Sequence, residues 1–436
     1  MPIRRLDLRG RRLSKSEINA LIPRAALDID AAMKIVLPIL EQVSNGSESD
    51  VLNIGVEFDG TRAPALRVPK NELVKALSEL DPKVRESLEI AISRIRKVHE
   101  DQVRNEKISV VDTGATVTEK WIPVDRVGLY VPGGRAVYPS SVAMNVIPAQ
   151  IAKVPKIAVA SPPQVENNGW PNKTILATCE LLGIEEVYSI GGAAAIGLFA
   201  YGLTNVIEKC DLVTGPGNIY VAAAKRALRG LIGIDSEAGP TEIAIIADQD
   251  AVASDVAADL ISQAEHDVIA ASILITDSEK LADSVFEELA IRAAKTKHAE
   301  RIQTALSGQQ SAIVITDDIA QAIEVANAYA AEHLEIQTKN PGEDAKKIRN
   351  AGAVFIGRYS PVSLGDYAAG SNHVLPTGGC ACHSSGLSVQ TFLRGVHFIE
   401  YSKSAFEDIL PTVVTLANAE DLPAHGEAMS ARLEEL

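Results

Sequence analysis

Short β-rich segments alternate with helical segments over most of the chain, and this alternation limits the possible folds more than any other feature of the sequence. From about residue 107 onward, brief apolar runs are separated by stretches whose apolar residues recur at helical spacing. The candidate strands are residues 126–131, 156–160, 186–190, 211–213, 242–247, 272–276, 312–316 and 353–356. Helical stretches lie between them, at 219–229, 251–265 and 319–331 for example. Such alternation is typical of parallel βαβ units, with helices covering both faces of each sheet.

The two ends of the chain differ from this middle part, because both favour helix. We therefore expect an α/β protein with two Rossmann-like parallel-sheet domains, a helical N-terminal segment and a small helical C-terminal arm. The expected division has a discontinuous first domain (residues 1–127 with 241–325), a second domain (128–240 with 326–380) and a C-terminal dimerisation arm (381–436). This last segment is long enough to reach another subunit.

The charge and hydropathy of the chain exclude several classes of partner. The sequence has 57 acidic and 42 basic residues and a formal net charge of −15. A nucleic-acid or anionic-membrane surface favours a basic stripe, so neither partner is expected. Apolar runs are far shorter than the roughly 18–20 residues of a membrane span. The basic N-terminus is not followed by an apolar core, so it does not resemble a secretory signal, and we expect a cytoplasmic protein.

The four cysteines do not predict a disulfide framework. They are Cys179, Cys210, Cys380 and Cys382, too few and too unevenly spaced for one. The stretch from Cys380 to His383 invites comparison with a metal clip. The second half of such a Cys/His site is missing, however, so a packed or loop segment is the better interpretation.

Gln263 and His266 form the first candidate pair for chemistry. They are three residues apart near the end of the predicted helix 251–265, so their side chains share a helix face. An imidazole is a common zinc ligand, whereas an amide oxygen is an uncommon one. Taken alone, the pair is more typical of buried polar residues at a helix end.

Asp366 and His373 lie in a segment rich in small residues, GDYAAGSNHVLPTGG, which predicts a loop. Small residues allow the backbone and a ligand to approach each other closely. The alternative is a surface loop with incidental polar residues. The crowding of Asp, Asn and His between hydrophobic runs favours a functional site.

Glu332 and His333 place an acid beside a base at the end of the predicted helix 319–331. A carboxylate and an imidazole are suited to removing protons in turn from an alcohol and from water. Taken alone, a histidine near a helix C-terminus is the better interpretation. Together with Glu420 and His425, these segments nevertheless offer the three or four ligands that a divalent metal needs.

Glycine-rich turns follow two of the candidate strands, but the dinucleotide fingerprint G-x-G-x-x-G is absent. One turn begins at Tyr130, and the other runs from Thr214 to Asn218. The second turn precedes a helix, so an anion or phosphate could rest on that helix N-terminus. As an indication of a nicotinamide cofactor the turns are weak, because many strand–helix turns look similar.

In the order and content of its motifs, the chain resembles the histidinol dehydrogenase family. The matching segments are RVGLYVPGG at 126–134, VTGPGNIYVAAAKR at 213–226, EAGPTEIAIIAD at 237–248, LISQAEHD at 260–267, AEHLEI at 331–336, SLGDYAAGSNHVLPT at 363–377 and SSGLSVQTF at 384–392. They occur in the family's order and span most of the chain. Such a series is highly specific to the family.

The resemblance implies a role for each matching side chain. It implies an acid–base pair, Glu332 and His333, and one zinc per subunit held by Gln263, His266, Asp366 and His425. The implied substrate contacts are Thr241, Gln263, His266, His333, Asp366, His373, Glu420 and His425. The implied NAD contacts are Tyr130 and Asn218. Ala194 stands where the family often has a cofactor-contacting Gln, a difference that bears on nicotinamide binding but not on the reaction.

The resemblance also implies a reaction, the last steps of histidine biosynthesis. L-Histidinol is oxidised by four electrons to L-histidine through histidinal, with zinc and NAD as cofactors. The implied assembly is a homodimer in which the C-terminal residues complete the neighbour's site. The nearest alternative is a sister dehydrogenase of the same fold that oxidises a non-imidazole alcohol, such as a sulfonated one. A metal- or metabolite-binding protein without turnover is the alternative from another class, and the adjacent Glu332 and His333 argue against it.

Overall fold

Strands and helices alternate in the computed structural model of the chain, which describes residues 3–25, 28–133, 137–237 and 239–433. The strands are β1 (Arg4–Asp7), β2 (Lys107–Asp112), β3 (Ala115–Pro123), β4 (Arg126–Tyr130), β5 (Lys156–Ser161), β6 (Glu186–Ser189), β7 (Leu212–Thr214), β8 (Gly233–Ile234), β9 (Glu242–Ala247), β10 (Ala271–Thr276), β11 (Ala312–Ile315), β12 (His333–Gln337), β13 (Ala353–Ile356) and β14 (Leu393–Tyr401).

The helices are α1 (Lys15–Leu21), α2 (Ile29–Asn45), α3 (Glu48–Phe58), α4 (Lys70–Ser78), α5 (Pro82–Glu100), α6 (Pro139–Ile151), α7 (Lys173–Leu181), α8 (Gly192–Tyr201), α9 (Ile219–Leu228), α10 (Ala253–Ala264), α11 (Glu279–Ala293), α12 (Ala299–Ser307), α13 (Ile319–Tyr329), α14 (Pro341–Ala345), α15 (Val362–Tyr367), α16 (Lys403–Ala419) and α17 (Pro423–Ser430). Within the described ranges, no helix combines the length and the apolar character needed to cross a membrane.

A six-stranded parallel sheet forms the centre of the first of two structural units, which comprises residues 1–102 and 125–392. Its strand order is β1-β11-β10-β9-β12-β13. Strand β9 is buried on both faces: Ile243 and Ile245 belong to one hydrophobic core, and Ala244 and Ile246 to another. This arrangement explains why its sequence is continuously apolar, because parallel strands are covered by helices on both sides.

A five-stranded parallel sheet lies in the same unit, with the order β6-β5-β4-β7-β8. Helices α2, α8 and α9 contribute to the core on this sheet. Gly128 of β4 allows α8 to pack closely, since a Cβ atom at that position would lie 2.3 Å from Cγ of Phe199.

The second unit comprises residues 103–124 and 393–436. Its strands form an antiparallel sheet in the order β14-β3-β2. Helices α16 and α17 follow β14 in the chain, and they pack against each other.

The predicted fold class, α/β with parallel sheets, is confirmed. The expected division was wrong about β12 and β13, which it assigned to the second domain within 326–380. Both strands pair in the six-stranded sheet, β12 directly beside β9. Strand β12 escaped prediction because His333, Glu335 and Gln337 make it polar at alternate positions, although all five of its residues are buried. The remaining domain boundaries stay a prediction. The C-terminal arm is helical as expected, but it also contains β14.

Candidate active site

A cavity of about 850 Å³ lies where the carboxyl edge of the five-stranded sheet faces the amino edge of the six-stranded sheet. Tyr130, the last residue of β4, and the turn after β7 line it from the first sheet. Thr241, just before β9, and His333, the first residue of β12, line it from the second. The carboxyl edge of a parallel sheet is where open α/β proteins bind their ligands.

The end of helix α13 places Glu332 and His333 at this cavity. The helix stops at Tyr329, and Ala330 takes the left-handed conformation with φ +53°. His333 then enters β12 opposite Ile243 of β9. The helix therefore ends before the pair, and the sheet holds His333 in place.

Glu332 is a buried carboxyl group that accepts two hydrogen bonds. The Thr241 hydroxyl donates to its Oε2 atom at 2.5 Å, and the backbone N–H of Glu242 donates to the same atom at 3.0 Å. The Gln263 side-chain amide donates in turn to Thr241 Oγ1 at 2.7 Å. Burial raises the pKa of Glu332 to about 7, although the hydrogen bonds from Thr241 and Glu242 act to lower it. A carboxyl group with this pKa can exchange a proton near neutral pH.

His333 has one nitrogen engaged and one free. Its Nδ1 atom lies 3.1 Å from the carbonyl oxygen of Glu242. A carbonyl oxygen only accepts, so Nδ1 carries the proton and Nε2 keeps a lone pair. The Nε2 atom is buried, has no hydrogen-bond partner among the described residues, and lies 4.0 Å from Oδ1 of Asp366. Burial lowers the pKa of His333, which favours the neutral imidazole.

Asp366 and His373 meet at the same wall of the cavity. Asp366 lies in the short helix α15, so the predicted loop begins later than expected. His373 Nδ1 lies 2.9 Å from the backbone oxygen of Asp366, and His373 Nε2 lies 3.0 Å from Oγ of Ser141. Burial lowers the pKa of His373. Both ring nitrogens are thus engaged, and Ser141 is a neighbour that the sequence analysis missed.

Gln263 and His266 do not both lie on a regular helix. Helix α10 ends at Ala264, and His266 sits in the turn that follows, with its N–H bonded to the Gln263 carbonyl oxygen at 3.2 Å. His266 lines the cavity, while Gln263 is buried behind Thr241. The two residues are therefore close in the structure, but only His266 borders the cavity directly.

The side chains gathered here include chemical groups that can bind a zinc ion. His266 and Asp366 line the cavity, and the Gln263 amide nitrogen donates to Thr241, which leaves its oxygen available as a ligand. Within the ranges that the structure describes, no group of three or more His, Cys, Asp or Glu side chains is arranged to hold a metal. Suitable donor types therefore lie at the cavity, and their role as zinc ligands stays a prediction.

Glu420 and His425 belong to the second unit. Glu420 caps the end of α16, and His425 lies in α17; both are exposed. The described residues that line the cavity all come from the first unit. Glu420 and His425 thus belong to a different structural unit from the other nine predicted site residues.

Tyr130 and Asn218 flank the glycine-rich turn after β7. The Tyr130 hydroxyl accepts from the N–H of Gly192 at 3.1 Å, and burial raises the pKa of Tyr130 to about 12. Asn218 caps α9, because its Oδ1 accepts from the N–H groups of Tyr220 and Val221. Ala194, which stands where the family often has Gln, lines the same cavity.

A buried ion pair behind this turn was not predicted. Lys225 Nζ donates to the Gly215 carbonyl oxygen at 2.6 Å and to Asp235 Oδ1 at 2.5 Å. Asp235 Oδ2 accepts from the Gly215 N–H at 2.8 Å. Gly215 has φ +119°, and a Cβ atom there would lie 2.0 Å from the backbone carbonyl oxygen of Tyr130. Only glycine therefore fits at this position. The pair therefore fixes a turn that lines the cavity.

Comparison with known proteins identifies the family. The family model described as histidinol dehydrogenase matches residues 22–433 of this chain. The chain belongs to the histidinol dehydrogenase family. Curated histidinol dehydrogenases of Nocardia farcinica and Thermobifida fusca are each 58% identical to it over 99% of this chain and 98% of their own length. The crystal structure of histidinol dehydrogenase from Elizabethkingia anophelis matches with a TM-score of 0.93 and 34% identity, covering 99% of both chains.

Membership of the histidinol dehydrogenase family confirms the resemblance seen in the sequence. It also confirms the predicted enzyme class, an oxidoreductase. The roles of the individual side chains stay predictions. Of those side chains, the structure brings nine to one cavity or directly behind its wall: Tyr130, Thr241, Asn218, Gln263, His266, Glu332, His333, Asp366 and His373.

Proposed function

We propose that this protein oxidises L-histidinol to L-histidine through histidinal, in the last steps of histidine biosynthesis. Two molecules of NAD are reduced for each histidine formed. The observation that carries the proposal is the free, buried Nε2 atom of His333 beside a carboxyl group of raised pKa, Glu332. Both side chains line one cavity together with His266 and Asp366. A binding protein without turnover has no need of such an acid–base pair.

The chain's own residues would hold two groups in this cavity. Gln263, His266 and Asp366 would bind zinc together with His425 of a second subunit, and zinc would orient the imidazole and amine of the substrate. Tyr130 and Asn218 would contact NAD, which accepts a hydride in each of the two oxidations. Support for the cofactor side comes from the glycine-rich turn after β7, because Gly215, Gly217 and Asn218, which caps α9, all line the cavity.

In the first oxidation, the alcohol carbon would give up a hydride, for which NAD would be the acceptor, and its hydroxyl would lose a proton. His333 Nε2 takes that proton, because Nδ1 is already protonated and bonded to Glu242. The lowered pKa of His333 keeps the ring neutral and ready to accept. The product is the aldehyde, histidinal, which the buried site shields from the solvent.

In the second oxidation, water would add to the aldehyde, and the resulting hydrate would give up a second hydride, again with NAD as the acceptor. Glu332 takes a proton from the attacking water. His333, after releasing its first proton to the solvent, takes the proton of the hydrate hydroxyl. The carboxylate product is L-histidine. Two hydrides, one water and three protons thus account for the change from alcohol to carboxylate.

The same proposal includes a homodimer in a cytoplasmic setting. The second unit would carry Glu420 and His425 to the neighbour's cavity and complete its ligand set. Both residues are exposed in the single chain, which leaves them available to a neighbouring subunit. No nucleic-acid or membrane partner is part of the proposal.

A stoichiometry assay tests the reaction. Purified protein, zinc, NAD and L-histidinol are combined, and NADH is counted for each histidine formed. Two NADH per histidine supports the proposal. Turnover of a sulfonated diol but not of L-histidinol would indicate the sister dehydrogenase, and absence of turnover with either alcohol would indicate a binding protein.

A further inference from the structure

We infer that helix α6 sets the distance between the substrate side and the cofactor side of the cavity, with Asn145 and Thr214 as the positioning residues. The inference rests on the proposed function. Every residue of α6 from Ser141 to Ala149 is buried, and most are apolar. A fully buried asparagine in such a helix is costly unless its amide is hydrogen-bonded, so its partners indicate what it does.

On the substrate side, α6 is bonded twice to the segment that carries His373. The Ser141 hydroxyl donates to His373 Nε2 at 3.0 Å, because Nδ1 already donates to a carbonyl oxygen. Pro148 has no N–H, so it leaves the Met144 carbonyl oxygen without its usual helical donor. The Asn372 amide donates to that oxygen at 2.6 Å. The carbonyl oxygen that the helix leaves without a donor therefore bonds α6 to the segment that carries His373.

On the cofactor side, Asn145 joins α6 to the turn after β7. Its amide nitrogen donates to the Ser141 carbonyl oxygen at 2.8 Å, and its Oδ1 accepts from the Thr214 hydroxyl at 2.8 Å. Thr214 ends β7 and directly precedes Gly215, whose turn lines the cavity. Both Asn145 and Thr214 are fully buried. A continuous line of hydrogen bonds thus connects His373 with the cofactor turn.

Such a link matters for hydride transfer more than for binding. The donor carbon and the cofactor must approach to about 3–3.5 Å, and a displacement of about 1 Å can slow a reaction about 100-fold. Neither Asn145 nor Thr214 is among the residues proposed to contact the substrate or NAD. Removing the Thr214 hydroxyl leaves Asn145 Oδ1 unpaired between two packed elements, so their spacing changes while both ligand sites remain.

The test compares three threonine substitutions. Thr214→Val keeps the shape and removes the hydroxyl, and Thr214→Ser keeps the hydroxyl. Thr178→Val is the matched control, since Thr178 is also fully buried but donates at 2.7 Å to Thr174 of its own helix α7. Measured quantities are kcat, KM for L-histidinol, the deuterium isotope effect at the carbinol carbon, and Kd for NAD by calorimetry.

Thr214→Val should lower kcat by about tenfold or more and increase the isotope effect, with KM and the NAD Kd within about threefold of wild type. Thr214→Ser should recover most of kcat, and Thr178→Val should match wild type. If Thr214→Val proves unstable, the variant Asn145→Leu/Thr214→Val removes both partners, which is gentler on the fold, and it should show the same kcat loss.

Equal kcat and isotope effects in Thr214→Val and Thr178→Val would overturn the inference. A loss confined to NAD affinity would overturn it as well, because the turn would then only bind the cofactor. A wild-type protein that neither binds NAD nor oxidises L-histidinol would instead contradict the proposed function.

Discussion

Nδ1 of His333 lies 3.1 Å from the backbone oxygen of Glu242, and this contact decides which nitrogen of the ring can act as a base. With Nδ1 protonated, Nε2 holds the lone pair. That atom is buried without a hydrogen-bond partner in the described part of the chain, 4.0 Å from Asp366. An unpaired polar atom in a buried position costs stability, so its retention at a cavity wall favours a role in the reaction.

Replacing His333 by Asn should therefore slow both oxidations. The loss of a positioned base is worth about 10²–10⁴-fold, so kcat should fall by that factor for L-histidinol and for histidinal. His298→Asn, which changes a half-buried histidine at the start of α12, serves as the control. Retained aldehyde oxidation in His333→Asn would contradict the proposed second use of this base.

The raised pKa of Glu332 predicts how aldehyde oxidation depends on pH. Its carboxyl group has a pKa of about 7 because burial outweighs its hydrogen bonds. Only the deprotonated form accepts a proton from water, so kcat for histidinal should fall as the pH drops below about 7. Glu332→Gln should slow this step more than alcohol oxidation and should remove the acidic limb of the profile. Equal losses in both steps, or an unchanged limb, would argue against a water-activating role.

Sequence patterns predicted those parts of the fold and of the site that depend on the spacing of residues close together in the chain. The alternation of apolar and helical runs predicted the parallel sheets, and the predicted helix 319–331 ends directly before Glu332, close to the observed end of α13 at Tyr329. Ser141 and Lys225 had no such signal, because nothing in the sequence around them indicates which distant residue each one contacts. The partner of Ser141, His373, is 232 residues away in the sequence. Contacts of this kind depend on packing between distant segments, which single-sequence patterns do not encode.

Metal analysis tests the ligand set. Wild-type protein should contain about one zinc per subunit, and Asp366→Asn should lose most of it, since a carboxylate ligand is replaced by a weaker amide. A chelator should abolish turnover, and added zinc should restore it. His383→Asn is the matched control, because His383 is exposed beside the free thiol of Cys382. Full zinc content in Asp366→Asn would remove this residue from the ligand set.

Subunit mixing tests whether His425 serves the neighbour. His425→Ala and Glu332→Gln should each be nearly inactive alone. In a hybrid dimer, the subunit with an intact Glu332 would receive an intact His425 from its partner and regain one working site. Random mixing in equal amounts should thus restore about a quarter of wild-type activity if the dimer is symmetric. No recovery, with hybrid formation verified by mass spectrometry, would indicate that His425 acts within its own chain or outside the site.

The buried pair of Lys225 and Asp235 should stabilise the fold far more than an exposed pair does. Both side chains are almost fully buried, so Lys225→Met leaves an uncompensated carboxylate and should lower the free energy of unfolding by about 3–5 kcal/mol. Lys225→Met/Asp235→Asn should lose less, because no buried charge remains unpaired. Lys156→Met is the control, since Lys156 pairs with Glu208 in an exposed position, and it should change stability little. Chemical denaturation measures all three variants, and equal losses in the single and double variants would show that Asp235 is not held by this lysine alone.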